Sequence, residues 1–284
     1  MSTDYNLITT DGQKIQITTF GEENTNPKNC LIYVHGFKGF KDWGFVPYTA
    51  KYFASKNFYV VTFHEVVDSH NFSHNGIGEN KTELTELEKF ANNTISREIS
   101  ELNEVINATL NGFLGFSSIR KIGLIGHSRG GAVALIAASQ RAEISAVATW
   151  SAISKFNRYT DRQKEQWKKN GYIEILNTRT NQLMRLNLSL LEDIEKNSNG
   201  LLNIQRAVEN LNKPLLIAHG MQDLTVPIAE AEDLYNWSNK SLTEFFTLGA
   251  TGHTFDIKHP FEGSNEKFEQ LLNKTYNFFK HNLS

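Results

Sequence analysis

A serine within a Gly-x-Ser-x-Gly pentapeptide is the residue in this sequence that most directly predicts chemistry. Residues 126–130 read Gly-His-Ser-Arg-Gly, between an apolar run that begins at Ile122 and a run rich in Ala, Val and Leu. This context predicts a strand that turns directly into a helix, with Ser128 strained and projecting from the sheet edge. The glycines leave room for neighbouring backbone, and the helix N-terminus favours developing negative charge. We expect Ser128 to be a nucleophile; a glycine-rich turn before a helix is the alternative.

A nucleophilic serine needs a base and an orienting carboxylate, and candidates for both follow Ser128. Asp223 and His253 lie in the loops after the last two predicted strands. The order serine, acid, histidine is that of hydrolases with a nucleophile elbow. We predict that Asp223 fixes the imidazole tautomer while His253 accepts the Ser128 proton. The alternatives are a helix-capping aspartate and an ordinary loop histidine, with His259 as the second candidate for the base.

Attack on a carbonyl group also requires hydrogen-bond donors for the oxyanion. The backbone N–H of Arg129, the residue after the nucleophile, is predicted to be one donor. The second is expected in the loop after the first buried parallel strand, where Phe37 follows a His-Gly pair. We assign the backbone N–H of Phe37 to this role, with plain core packing of its ring as the alternative. His35, His127 and His219 are expected to pack or to bond the backbone.

Strand and helix patterns alternate along the chain and predict how these loops meet. A hairpin is expected at 6–19, followed by apolar strands and amphipathic helices. The predicted strands are 31–36, 58–63, 122–126, 144–150, 214–220 and 243–248, and the predicted helices include 47–56, 95–110, 128–140 and 268–279. Such alternation predicts an α/β fold, a mostly parallel sheet with helices on both faces. Sites in such sheets form beyond the carboxyl ends of the strands, where all the candidate residues lie.

The motifs and their order resemble the α/β-hydrolase superfamily across nearly the whole chain. The match rests on four runs: 35–37 (His-Gly-Phe), 126–130, 219–227 (His-Gly-Met-Gln-Asp-Leu-Thr-Val-Pro) and 252–255 (Gly-His-Thr-Phe). Within the superfamily the sequence is similar to the serine esterase and peptidase branch of cinnamoyl esterases, dienelactone-hydrolase-like and prolyl-oligopeptidase-like proteins. It departs from dienelactone hydrolase itself, which carries cysteine in place of Ser128.

The segment 151–212 is longer than a connection between two strands requires. It contains stretches with helical patterning at 161–169, 188–196 and 204–211. The resemblance implies that this segment is a helical cap inserted into a single domain that spans 1–284. Among its aromatic residues, Trp167 and Tyr172 are the predicted substrate-pocket residues. The alternative is that such aromatics only pack the interior of the cap.

The composition is that of a soluble enzyme. Hydrophobic residues make up 39% and charged residues 21%, and the formal net charge is −2 without a basic block. These values argue against nucleic acid as a partner. No apolar run is long enough to span a bilayer, and the polar first residues lack a signal-peptide pattern. The single Cys30 fits a reducing compartment. We therefore expect a cytoplasmic protein without a membrane partner; the oligomeric state is not indicated.

The segment 64–74 resembles the start of the zinc-protease pattern His-Glu-x-x-His. Its fifth position, however, is Asp68 and not histidine, and the spacing matches no tetrahedral zinc site. We predict neither a metal ion nor a cofactor.

We predict a serine hydrolase that cleaves small carboxylic esters through an acyl-enzyme on Ser128. A serine peptidase acting on short peptides is the alternative enzyme, because the same triad and oxyanion hole serve either bond. A ligand-binding protein that has lost turnover is the alternative outside the enzymes. The presence of Ser128, Asp223 and His253 together argues against that last interpretation.

Overall fold

Eight strands form one sheet in the computed structural model, which describes residues 1–12, 14–21, 28–66, 87–116, 118–177 and 181–284. The strands of the described chain are β1 (Ser2–Ile8), β2 (Lys14–Phe20), β3 (Lys28–Val34), β4 (Tyr59–Val66), β5 (Ile119–His127), β6 (Ile144–Trp150), β7 (Tyr172–Asn177), β8 (Gln182–Asn187), β9 (Leu215–Gly220) and β10 (Thr243–Leu248). The sheet has the order β1-β2-β4-β3-β5-β6-β9-β10, and all pairs from β4 to β10 are parallel. The sequence-based prediction of a mostly parallel sheet is therefore confirmed.

Helices cover both faces of this sheet. They are α1 (Val46–Ser55), α2 (Leu87–Ala91), α3 (Ile95–Leu110), α4 (Arg129–Gln140), α5 (Asp161–Asn170), α6 (Leu188–Asn197), α7 (Ile204–Glu209), α8 (Ile228–Trp237) and α9 (Glu266–Asn282). Apolar residues of α1 and α9 form one buried cluster with the sheet, and those of α3 and α4 form another. Within the ranges given above, no helix is long and apolar enough to cross a membrane.

The central strand β5 shows how the sequence produces this layering. Its last six residues are all buried, as expected for a parallel strand covered on both faces. Gly123 in this strand lets α9 approach closely, because a Cβ atom there would lie 2.5 Å from the Phe279 ring. Phe279 is itself fully buried, and burying such a side chain stabilises the fold by about 1.5–3 kcal/mol. The carboxyl end of β5 is thus held firmly at the position where the Gly-x-Ser-x-Gly motif begins.

The segment 151–212 contains the three predicted helices as α5, α6 and α7. It also contains an antiparallel hairpin of β7 and β8, which the helical patterning did not predict. The apolar cluster beneath α3 and α4 continues into this segment through Trp167, Met184 and Leu190. The segment therefore packs on the body of the protein through a shared core.

Candidate active site

Ser128 occupies a sharp turn between β5, which ends at His127, and α4, which begins at Arg129. Its backbone angles are φ 56° and ψ −124°, a conformation that costs a residue with a side chain about 1–3 kcal/mol. The turn is fixed from outside, since the Ser128 N–H donates to the Trp150 carbonyl over 2.9 Å. A strained serine between a strand and a helix is the geometry of a nucleophile elbow.

The two glycines of the motif are required by close contacts with backbone. A Cβ atom on Gly130 would lie 2.3 Å from the His35 carbonyl oxygen, and one on Gly126 would lie 2.5 Å from the Gly130 oxygen. Real Cβ atoms do not approach other atoms so closely, and backbone cannot yield as a side chain can. The sequence pattern and the tight turn are therefore two aspects of the same constraint.

The structure brings Ser128, His253 and Asp223 together from three separate loops. His253 Nε2 lies 3.0 Å from Ser128 Oγ, and His253 Nδ1 lies 2.7 Å from Asp223 Oδ2. Because a carboxylate oxygen only accepts, Nδ1 carries the proton and Nε2 is left as the acceptor for the serine hydroxyl. The imidazole side chain is 18% exposed, whereas the Asp223 side chain is fully buried. The arrangement can move a proton from Ser128 to His253 while Asp223 stabilises the resulting imidazolium.

Asp223 is held in a turn that favours its ionised form. Its Oδ1 accepts hydrogen bonds from the backbone N–H groups of Thr225 at 2.9 Å and Val226 at 2.8 Å. Burial by itself would raise the pKa of Asp223, but the hydrogen bond and charge of His253, together with these two N–H groups, lower it below the ordinary value. A buried carboxylate with this many donors remains charged at neutral pH.

The loop after β3 lies directly against the nucleophile. A Cβ atom on Gly36 would be 2.9 Å from Ser128 Cβ and 3.4 Å from its Oγ. Phe37 follows, and its ring is held between Phe90, at 5.4 Å between centroids, and the Arg129 guanidinium, at 4.3 Å from the ring centroid. The backbone of both predicted oxyanion donors, Phe37 and Arg129, is therefore next to Ser128.

A half-buried ion pair fixes the Arg129 side chain over the Phe37 ring. Arg129 is 12% exposed and pairs with Glu98, which also accepts from Asn93 Nδ2 at 2.7 Å. Burial raises the pKa of Glu98, while the charge of Arg129 opposes that rise. The side chain of Arg129 thus holds the loop that carries one predicted oxyanion donor, while its own backbone is the other.

A cavity of about 490 Å³ opens beside Ser128 and His253. Its wall combines aromatic and aliphatic side chains with two lysines and four histidines, and the lining residues include Tyr33, Phe37, Lys38, Trp43, Val46, His127, Ile257, Lys258 and His259. These residues come from the ends of β3 and β5, from the loops after β3 and β10, and from the start of α1. The site was expected at the carboxyl ends of the strands, and the lining residues lie there, although the sequence did not single out Trp43 or Ile257.

Trp167 and Tyr172, the predicted pocket residues, do not line this cavity. Trp167 is fully buried, and its ring packs edge-on against Tyr159 at 4.9 Å between centroids. Tyr172 lies under the Arg185 guanidinium at 4.3 Å. Both side chains pack within the segment 151–212, which is the alternative that the sequence left open.

His259, the second candidate for the base, has a different bonding pattern. Its Nδ1 accepts a hydrogen bond from the Gly44 N–H at 2.9 Å, and its ring stacks on Trp43 at 5.9 Å between centroids. His259 lines the cavity, but it is His253 whose Nε2 accepts the hydrogen bond of the Ser128 hydroxyl. The structure therefore favours His253 as the partner of the serine.

Of the segment 64–74, which resembles the start of a zinc-protease pattern, residues 67–74 lie outside the described ranges. In the part of the chain that the structure describes, no three His, Cys, Asp or Glu side chains form a group able to hold a metal ion. Cys30 is buried in β3, and burial raises the pKa of its thiol well above the ordinary value.

Solved structures share this architecture at low sequence identity. Est1E from Butyrivibrio proteoclasticus, solved with ferulic acid, is 16% identical, with a TM-score of 0.73 over 97% of this chain and 98% of that one. GrgF, an alpha/beta hydrolase from Penicillium sp. sh18, is also 16% identical, with a TM-score of 0.72 over 100% and 99% of the two chains. The esterase domain of a Rhodothermus marinus protein is 17% identical, with a TM-score of 0.65 over 100% of both. Such likeness establishes the fold.

A sequence model of the prolyl oligopeptidase family matches residues 46–284, a range that includes Ser128, Asp223 and His253. A comparison with curated protein sequences found no match. The family match covers most of the chain, and the neighbouring structures agree with it in fold. The chain therefore belongs to the prolyl oligopeptidase family of α/β-hydrolases.

Proposed function

We propose that this protein is a serine hydrolase that cleaves carboxylic esters through an acyl-enzyme on Ser128. The observation that carries the proposal is the continuous line of hydrogen bonds from Ser128 Oγ through His253 to Asp223. Three buried or half-buried groups from distant loops align in this way at a strained elbow, beside a cavity of substrate size. Such a constellation is recognised by its geometry and by the role of each group.

The first half of the proposed reaction forms the acyl-enzyme. His253 Nε2 takes the proton from Ser128 Oγ as that oxygen attacks the ester carbonyl carbon, and the carbonyl electrons move onto the oxygen. The backbone N–H groups of Phe37 and Arg129 stabilise the resulting oxyanion. The tetrahedral intermediate collapses when the bond to the alcohol oxygen breaks and His253 donates its proton to that oxygen.

The second half releases the acid. A water molecule takes the place of the alcohol, and His253 accepts its proton as the water oxygen attacks the acyl carbon. Collapse of the second tetrahedral intermediate breaks the bond to Ser128 Oγ, which regains its proton from His253. Asp223 holds the Nδ1 proton of His253 throughout and remains ionised.

The apolar residues among those that line the cavity support our proposal of esters before peptides. Tyr33, Phe37 and Trp43 line the same cavity as Ser128, and aromatic lining residues suit an apolar or aromatic acyl group. Two of the similar structures are an esterase domain and a protein solved with ferulic acid, an aromatic acid. A serine peptidase acting on short peptides is the second candidate, because the family is named for peptidases.

Matched substrates distinguish these two functions. Values of kcat/KM are measured for p-nitrophenyl esters of acetic, butyric and cinnamic acid and for the p-nitroanilides of the same acids. We expect turnover of the esters, with the anilides much slower. An equal or greater kcat/KM on anilides and short peptides would replace the esterase assignment with the peptidase one.

We also propose that the segment 151–212 acts as a cap over the site within one domain spanning 1–284. Arg158 from this segment donates to the Thr225 carbonyl in the acid turn and pairs with Glu230. The Lys38 ammonium, in the loop that carries Phe37, donates to the Leu176 carbonyl of β7 at 3.3 Å. The segment therefore contacts two of the loops that form the site.

A further inference from the structure

Two histidines lie beside the proposed triad without a role in the proposed reaction. His219 is the penultimate residue of β9 and is fully buried. His127 ends β5, next to Ser128, and is 8% exposed. Each belongs to a strand end from which a catalytic loop departs, and each ring nitrogen Nε2 meets a backbone carbonyl oxygen.

His219 ties the acid turn to β9. Its Nε2 lies 2.8 Å from the Val226 carbonyl oxygen, and because a carbonyl only accepts, this nitrogen carries the proton. The same Nε2 is 3.5 Å from Asp223 Oδ2. Val226 in turn donates its own N–H to Asp223 Oδ1 at 2.8 Å. Val226 is thus bound at its carbonyl by His219 and at its N–H by Asp223.

The second nitrogen of His219 shows that packing does not account for this residue. Nδ1 is buried and has no hydrogen-bond partner in the residues that the structure describes. A buried acceptor without a donor costs about 1–3 kcal/mol, which an apolar side chain of the same size would avoid. Burial also lowers the pKa of His219, so the ring is neutral at neutral pH. What the imidazole contributes at this position is its Nε2–H group.

His127 makes the corresponding contact with the catalytic base. Its Nε2 lies 3.0 Å from the His253 carbonyl oxygen, so that this nitrogen also carries the proton. The two rings are 4.8 Å apart between centroids, and the His127 ring meets Phe45 edge-on at 5.4 Å. Burial lowers the pKa of His127 to about 3. The ring therefore stays neutral and adds no positive charge beside His253 when that residue takes up a proton.

We propose that His219 and His127 are positioning residues, which hold the backbone of the Asp223 turn and of His253 through their Nε2–H groups. The inference rests on the proposed function, because it assigns a purpose to the alignment of that triad. Reacting groups must be placed closely, and a misplacement of about 1 Å costs on the order of 10²-fold in rate. Two neutral donors at the strand ends fix both loops without adding charge.

A glutamine and a methionine variant at each position form matched pairs of similar length. Glutamine offers an N–H donor close to the place of Nε2, whereas methionine has none. We expect His219→Met and His127→Met each to lower kcat by about 10- to 100-fold, because alignment is lost. KM should change little in His219→Met; His127 also lines the cavity, so the unchanged KM is expected of the His219 variant alone. His219→Gln and His127→Gln should restore most of that loss.

The pH profile of kcat/KM separates positioning from a purely structural role. The titratable groups that face His253 are Asp223, His127 and His219. When His219→Met loosens the acid turn, Asp223 stabilises the imidazolium less, and the acidic limb should move to lower pH. A variant that is only partly folded would show a lower plateau of kcat/KM, with the acidic limb of the profile at the same pH as in the wild type. Rates are therefore expressed per active site, as titrated by the burst of a fluorophosphonate or activated ester.

The outcomes keep this inference apart from the proposed function. Wild-type protein that is not labelled at Ser128, or Ser128→Ala protein that keeps its turnover, would reject the triad itself. Folded methionine variants with wild-type kcat and an unmoved acidic limb would reject the positioning role alone. If the methionine variants do not fold, the glutamine variants decide, because a folded glutamine variant that has lost more than about 10-fold in kcat would contradict the role of the Nε2–H groups.

Discussion

At acidic pH the buried His127 should destabilise this protein, and a substitution of His127 isolates that contribution to the free energy of unfolding. An imidazole in an unfolded chain has a pKa near 6.5, whereas burial lowers that of His127 to about 3 in the folded protein. Between these two values the unfolded chain binds a proton and the folded protein does not. Stability therefore falls as the pH falls through this window, whereas above about pH 6.5 the imidazole is neutral in both states and costs the folded protein nothing.

The magnitude follows from proton linkage. At pH 5 the unfolded imidazole is almost fully protonated and the folded one almost fully neutral. The cost is therefore set by the distance between pH 5 and the unfolded pKa of about 6.5, which is about 1.5 units, or about 2 kcal/mol. At pH 7.5 the contribution is close to zero. His127 is only 8% exposed, so solvent screening removes little of this value.

Urea unfolding at pH 7.5 and pH 5, followed by tryptophan fluorescence, measures the effect. Other groups titrate over the same range, so the comparison is between wild type and His127→Gln, which cannot bind that proton. We expect the wild type to lose about 2 kcal/mol more than the variant between the two pH values. A difference below about 0.5 kcal/mol would refute the claim that His127 is buried in its neutral form.

Three further substitutions test the site. Gly36→Ala should lower kcat while the melting temperature changes little, because the new Cβ would lie 2.9 Å from Ser128 Cβ and displace the nucleophile. Kinetics measure the first effect and thermal unfolding the second. Asp223→Asn should lower kcat by about 10⁴-fold with the fold intact, since it leaves the His253 imidazole in the wrong tautomer. Trp167→Ala should cost about 3–5 kcal/mol in the free energy of unfolding, because this side chain is fully buried, while the ranking of ester substrates by size stays the same.

Each of these variants has a control and a contradicting result. Gly249→Ala, where a Cβ would meet nothing within 4 Å, controls for the loss of a loop glycine, and equal kinetics in the two glycine variants would contradict a close contact at Gly36. Wild-type activity in Asp223→Asn would mean that another carboxylate orients the base. Trp167→Phe keeps most of the buried volume, and a changed substrate ranking in Trp167→Ala would place this residue at the pocket after all.

The strand ends were predictable from sequence because their constraints are local. Ser128 requires glycines at both sides of a tight turn, and the apolar run before it and the helix after it follow within a few residues. Asp223 and His253 lie far away in sequence, but the rule that parallel strands present their carboxyl ends at one edge places them nearby. The structure brings His253 within hydrogen-bond distance of both Ser128 and Asp223.

The segment 151–212 was predicted less well for a physical reason. Helical periodicity locates α5, yet it does not say whether the face with Trp167 turns toward the cavity or toward Tyr159. The hairpin of β7 and β8 has short strands whose half-buried residues alternate with exposed ones, a weak signal beside the helices. Side chains that pack between elements depend on tertiary contacts that periodicity does not encode.

The histidines illustrate the same limit. His127 lies inside the Gly-x-Ser-x-Gly motif and His219 precedes a glycine, and both were expected to pack or to bond the backbone. Both do bond backbone carbonyls. Which carbonyl each one meets depends on how the loops fold back over the sheet edge. The sequence alone therefore did not connect them with His253 and the Asp223 turn.

Identification of the residue that reacts with a fluorophosphonate tests the central claim most directly. The protein is treated with the reagent, its intact mass is measured, and the adduct is located by peptide mapping, with the Ser128→Ala variant in parallel. We expect a single adduct on Ser128 in the wild type, none in the variant, and a loss of ester hydrolysis by about 10⁴-fold or more in the variant. An adduct on another serine, or undiminished turnover by Ser128→Ala, would contradict the assignment of Ser128 as the nucleophile.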